Sequence, residues 1–185
     1  MPDWFETLNG LWSASWRLLV VDAAQLKPST RTVLATISHS GAPEARVVVL
    51  RGADRQSARI DIHTDAASVK IKELGLDPRA SLLIWSDNKQ LQLRMRGEIS
   101  IATGAEARPH WARVPDGSRA NYGVTPTPGT AISASDAYTR APDPAKFAVL
   151  TLTLSEADVV HLSDDYHRRA LFRRDDGWQG QWLAP

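Results

Sequence analysis

The chain has 185 residues, 43% of them hydrophobic and 23% charged, with 22 basic against 21 acidic residues and no cysteine. This composition fits one globular domain over 1–185 and excludes a membrane-spanning helix, a disulfide-stapled fold and a charge field that would gather nucleic acid. Any anion site must therefore be local, and the acidic opening M-P-D-W-F-E-T, unlike a secretory leader, sets the expectation of a cytoplasmic protein.

In chain order, Trp4, Leu8, Leu11, Trp12, Trp16 and Leu19 recur at helical spacing, and Asp3 with Glu6 has the offset of a capping box. An amphipathic helix is expected over about 3–21, its aromatic stripe packed into a core. From Thr30 the period becomes that of strands: T-V-L-A-T-I-S, a turn at His39-Ser40-Gly41, then A-R-V-V-V-L-R, which is a hairpin. A-R-I-D-I-H-T adds a third strand, and S-V-K-I-K-E-L reads as a short helix ending near Gly75. A-S-L-L-I-W-S and Q-L-Q-L-R-M-R-G-E-I-S-I-A-T flank Asp87-Asn88-Lys89, which has hairpin-turn chemistry.

A short helix from Gly104 to about Arg113 gives way to a Pro- and Gly-rich loop over about 114–134, too long for a mere connection. A helical piece is expected around Ser135 to Thr139. F-A-V-L-T-L-T-L, A-D-V-V-H-L, H-R-R-A-L-F-R-R and Q-W-L-A-P read as further strands, with a turn at Asp175-Asp176-Gly177. The class is α+β, mainly antiparallel β, with the strands forming a barrel flanked by helices.

The strand R-V-V-V-L-R carries an arginine at each end. Alternation puts Arg46 on a face with Val48 and Leu50, and Arg51 on the other with Val47 and Val49. An arginine on a half-buried face needs a carboxylate, a phosphate or an exit to solvent, and the strand alone leaves the three open. Thr64, Asp65 and Ser68 mark the turn before a helix, and Lys70 falls in its first turn, where a cation is unfavourable unless something negative sits there. A phosphate on the free N–H groups would resolve that conflict; a plain cap with a solvated Lys70 is the alternative. His39, His63, His110, His161 and His167 show no metal-binding spacing, so no metal is expected. No nucleophile elbow, dinucleotide fingerprint or Walker loop is present, and the pairs Asp164-Asp165 and Asp175-Asp176 are ordinary turn acids.

Taken in order, R-V-V-V-L-R, H-T-D-A-A-S-V-K-I-K-E-L, W-S-D-N-K-Q-L-Q-L-R-M-R-G-E and the terminal W-L-A-P resemble the pyridoxamine 5'-phosphate oxidase family, from about Thr32 to Pro185. The resemblance implies an FMN-binding split barrel working as a homodimer, with flavin at the subunit interface and no membrane or nucleic-acid partner. It places Arg46, Val47 and Val48 in the strand that holds FMN, and His63-Thr64 beside the flavin. It also gives Ser68 and Lys70 to the FMN phosphate, and Gln92 and Arg169 to the flavin. Arg51 and His167 fall on positions facing the substrate.

Departures accompany the likeness. Asp165 stands where the family has a ligand-holding arginine, His161-Leu162 lie near the place of a flavin-contacting tryptophan, and the loop lacks the substrate-phosphate pattern, although Trp111, Ser118, Arg119 and Tyr122 lie in the same region. The expectation is an FMN-dependent oxidoreductase acting on a small molecule by hydride transfer to flavin, with no catalytic side chain singled out. The alternatives are a non-catalytic flavin- or haem-binding protein on the same barrel, and a structural barrel without cofactor.

Overall fold

The structure, a computed structural model, describes residues 3–24 and 31–185, with side chains described outside 20–24. Pro2 and Thr30, at the edges of two expected elements, lie outside these residues. The first helix, α1, spans Leu8–Ala24 rather than starting at Asp3. Thr7 is the reason: its Oγ1 accepts the Gly10 N–H at 3.0 Å, a side-chain cap. Asp3 and Glu6 instead close a separate turn ahead of it, the Asp3 N–H donating to Glu6 Oε2 at 3.1 Å. The aromatic stripe is core: Leu11, Trp16 and Leu19 are buried, and Trp12 stacks on Phe172 and Trp178.

Strands β1 (Arg31–Ile37), β2 (Pro43–Asp54) and β3 (Arg59–Asp65) form a meander, followed by helix α2 (Val69–Leu76). Next come β4 (Arg79–Ser86), β5 (Leu91–Thr103) and helix α3 (Gly104–Trp111). The long loop holds one helical turn, α4 (Asp116–Arg119), and a two-residue strand, β6 (Val124–Thr125). Around Ser135 to Thr139 there is no helix; Thr139–Arg140 form β7, which pairs with β6. The expected helical piece has no apolar face to bury, and the pairing across the loop takes its end. The segments read as two strands, F-A-V-L-T-L-T-L and A-D-V-V-H-L, are one continuous β8 (Phe147–His161), followed by β9 (Arg168–Arg173) and β10 (Gln181–Leu183).

The strand order β8-β3-β2-β1-β4-β5, with β5 pairing back onto β8, closes a six-stranded antiparallel barrel. Strands β9 and β10 extend the sheet from the far end of β8, whose first half pairs with β3 and second half with β9. The seam closes over a register shift at Arg96/Gly97, where a β-bulge bends the strands. Inward side chains such as Leu34, Leu50, Ile62, Leu82, Leu93, Met95 and Leu152 fill the barrel, and α1 packs against it.

Gly97 has no room for a side chain: a Cβ there would stand 2.0 Å from the Thr153 carbonyl oxygen. Gly75, inside α2, has nothing within 4 Å of its would-be Cβ. Gly97→Ala is therefore expected to destabilise by several kcal/mol in urea unfolding, whereas Gly75→Ala should be neutral or stabilising by up to about 1 kcal/mol. Equal effects would contradict this account of the seam.

Candidate functional site

The structure distributes the residues singled out above over three neighbourhoods. The first lies at the start of α2. Ser68 is the N-cap residue, but its hydroxyl makes no capping bond, and the first-turn N–H groups of a helix have no helical acceptors. The Lys70 ammonium donates to Thr64 Oγ1 at 3.0 Å, and Thr64 and Ser68 hydroxyl oxygens are 3.3 Å apart. Arg46, Ser68, Val69, Lys70, Glu73, Pro128 and Gly129 are among the residues lining a cavity of about 360 Å³. A segment of the long loop thus forms one wall of it.

Arg46 answers its burial with a carboxylate. Its Nη2 donates to Glu73 Oε2 at 2.7 Å, its Nη1 donates to Thr36 Oγ1, and Thr36 Oγ1 donates to the same Glu73 oxygen at 2.7 Å. Glu73 is almost wholly buried and Arg46 is half-buried. Burial, then the charge of Arg46, pulls the Lys70 ammonium below its ordinary pKa, while Glu73 and Asp65 oppose that shift. The cluster therefore offers two hydroxyls, two cations and a helix N-terminus, and burial disfavours the Lys70 charge even with the Glu73 and Asp65 carboxylates near it. A phosphate monoester fits that donor set.

The second neighbourhood lies on the outer faces of β2 and β3. Arg51 is half-buried and has no carboxylate partner among the described residues. The His63 ring packs edge-on against Phe147 and His110. Burial first, then the charges of Arg51 and His110, lower its pKa to about 4, so it is neutral at pH 7. The Tyr122 phenol faces Arg51; burial raises its pKa and the arginine opposes the rise.

The third neighbourhood runs across the outer face of the seam. Gln92 on β5 stands opposite Trp85 on one side and Val160 on the other, and Val160 stands opposite Arg169 on β9. Arg169 is held by Asp158, to which its Nε and Nη2 donate at 3.0 and 2.7 Å.

Three residues of the sequence-level set are placed differently from the rest. The Val48 side chain is buried in the core, Val47 is 63% exposed on the outer face, and His167 is exposed in the turn before β9 together with Asp164 and Asp165. Sequence reasoning missed Glu73, Thr36 and Asp158. An acid three residues after Lys70 in K-I-K-E-L, and another inside the apolar A-D-V-V-H-L, were the signals available.

Residues 6–103 match the family model of the pyridoxamine 5'-phosphate oxidase FMN-binding domain. The pyridoxine/pyridoxamine 5'-phosphate oxidase of Cyanothece sp. is 33% identical over 105 residues, covering 57% of this chain and 48% of that protein. The enzyme of the same name from Burkholderia mallei is 36% identical over 104 residues, 56% of this chain and 47% of that one. The chain spans about half the length of these curated relatives.

Among solved structures, a pyridoxamine 5'-phosphate oxidase-related, FMN binding protein from Nostoc punctiforme has a TM-score of 0.78 at 24% identity, covering 94% of this chain and 97% of that one. PhzG from Burkholderia lata, in complex with tetrahydrophenazine-1-carboxylic acid, has a TM-score of 0.68 at 20% identity, covering 94% and 89%. Both likenesses establish the split-barrel fold.

Two outcomes follow from the charges at these sites. Arg46→Met, which strands the Glu73 carboxylate, is expected to cost about 2–3 kcal/mol, and Arg46→Met with Glu73→Leu less than that; urea titration of both variants checks it. His63 binds its proton less readily folded than unfolded, as does His161, lowered by burial and by Arg168. Stability should therefore fall as pH drops from about 6.5 towards 4, and His63→Phe should flatten the larger part of that slope in a pH series of thermal melts.

Proposed function

This chain belongs to the pyridoxamine 5'-phosphate oxidase family of FMN-binding domains, and on that premise we propose that it is an FMN-dependent oxidoreductase for a small molecule, working as a homodimer. The observation that carries the reading is the cluster of Thr64, Ser68 and Lys70 at the start of α2, where a partly buried ammonium and two hydroxyls stand together at a helix N-terminus. FMN is the cofactor of this family, and when bound it supplies a two-electron acceptor for hydride.

In this reading Ser68, Thr64, Lys70 and the remaining N–H donors of Arg46 hold the terminal phosphate, with Glu73 keeping Arg46 in place. Gln92 and Arg169 serve as donors beside the flavin ring. The backbone of Val47 and Val48, and the edge of His63, line its path. Arg51 and His167 face the substrate, and neutral His63 adds a wall that neither repels a cation nor attracts an anion.

The dimer is supported by an exposed apolar face on the outside of β2, β1 and β4. Val47, Leu83 and Trp85 are 63%, 41% and 44% exposed, and Val33 pairs with both Val47 and Leu83. Such a patch on a twofold surface is the commonest route to closure. Exposed Asp165, where the family pattern has a ligand-holding arginine, with Asp164 beside it, favours slow turnover of vitamin B6 phosphates and keeps a non-catalytic flavin carrier as the second reading.

FMN should bind more tightly than FAD to apoprotein, because the α2 cluster suits a monoester; equal affinity would count against the assignment. Sedimentation of the FMN-loaded protein should give a dimer, and a monomer that keeps its flavin would defeat that part. Pyridoxine and pyridoxamine phosphates should reduce the bound flavin slowly, with Asp165→Arg raising the rate. Fast turnover by the unmodified protein would return it to plain B6 oxidase chemistry.

A further inference from the structure

Asp158 is a buried carboxylate with two guanidinium partners. It lies on β8 at 3% exposure, flanked by β5 and β9, and accepts from Arg94 Nη2 on one side and from Arg169 Nε and Nη2 on the other. Burial pushes its pKa up, but the Arg169 and Arg94 bonds outweigh this, and the carboxyl titrates below its ordinary value. Removing such a charge from water is costly, and apolar residues in this place would serve stability as well or better. Its inward neighbours on β8, Ala157 and Val159, already fill the core. What an acid adds here is orientation.

The grip on Arg169 is two-pointed and leaves one face of the guanidinium free. Asp158 takes the bonds from Nε and Nη2, so the Nη1 donors remain available. The residue two strands away on the same cross-strand row is Gln92, with Val160 between them. Neighbouring strands are about 4.8 Å apart, so the two donor side chains are rooted about 10 Å from each other, the scale of one long edge of a fused tricyclic ring. Arg94, one row along and directly opposite Asp158, is held by the same carboxylate.

We propose that Asp158 is a positioning residue of the flavin site, fixing Arg169, with Arg94 braced on its other side, so that Arg169 and Gln92 present a preformed donor edge to the ring. This rests on the FMN reading above and adds to it a residue two bonds removed from the cofactor. The benefit is preorganisation: an arginine already locked in one geometry loses little further freedom when the ring arrives. The neighbouring row repeats the pattern in weaker form, with Glu156 between Arg96 and Arg173, the latter at 3.5 Å.

The test is a double-mutant cycle on the holoprotein, comparing wild type, Asp158→Asn, Arg169→Ala and the double variant. FMN dissociation is read by flavin fluorescence, the environment of the ring by its visible spectrum, and folding by thermal melts. Asp158→Asn is expected to weaken FMN about tenfold and alter the visible bands, Arg169→Ala to do the same, and the double variant to be no weaker than Arg169→Ala alone. Competition by inorganic phosphate should stay as in wild type, placing the loss at the ring. Arg169→Lys, which keeps the charge but not the two-point grip, guards against a folding failure of the asparagine variant; it should lose about tenfold and cease to respond to Asp158→Asn.

Wild-type affinity and spectrum in Asp158→Asn, or losses that multiply in the double variant, would overturn the proposal. Wild-type protein with no affinity for FMN would overturn it together with the reading it rests on.

Discussion

A lysine in the first turn of a helix, partly withdrawn from water, is the tension around which the site is arranged. Lys70 sits where the helix dipole is already positive, α2 has no acid in its first turn, and of the two buried carboxylates that act on it, Glu73 and Asp65, the first is engaged by Arg46 and Thr36. The result is an ammonium whose charge the protein itself disfavours. An anion at the N-terminus of α2 relieves the dipole conflict and the desolvation together. Two hydroxyls that cap nothing and a loop wall at Pro128–Gly129 make the place concave enough to hold one.

The rest of the fold places donors around that anchor. Closing the barrel through β8 brings residues far apart in sequence onto common cross-strand rows. Trp85, Gln92, Val160 and Arg169 are one such row, and it exists because β8 is long enough to serve β3, β5 and β9 at once. The bulge at Arg96/Gly97 allows that length: without the bend the seam would run straight past the barrel, and Gly97 is what lets the two backbones come so close. The outer face then divides into an apolar part on β2, β1 and β4 and a part on β5, β8 and β9 where arginines are paired with buried Asp158 and partly buried Glu156. An exposed apolar area and an area of arginines braced by acids are both products of strand alternation.

Much of this was legible in the sequence because it depends on local pattern. Period-two runs and their turn residues located the strands, and H-T-D-A-A-S-V-K pointed to Thr64, Ser68 and Lys70, which the structure brings together at the start of α2. The start of α1 moved because Thr7 supplies a better cap than Asp3, a competition between two capping residues that spacing alone does not decide. The piece around Ser135 to Thr139 looked helical but lacks an apolar face, and its last residue is claimed by a strand 14 positions away. A-D-V-V-H-L looked like a separate strand because Ser155 and Glu156 interrupt the apolar run; in three dimensions they belong to the bulge. Glu73 and Asp158 were the least legible, since their partners lie 27, 64 and 11 residues away and nothing local to either acid announces an arginine.

The central claim is that the α2 cluster binds the phosphate of FMN. Titration of the apoprotein with FMN and with riboflavin, which differ only by that phosphate, tests it most directly, in the wild type and in a Ser68→Ala, Lys70→Ala variant. The expected result is a preference for FMN of at least a hundredfold in the wild type, equal to about 2.7 kcal/mol, that shrinks to a few-fold in the variant. Equal affinity of the wild type for the two flavins, or an undiminished preference in the variant, would contradict the claim.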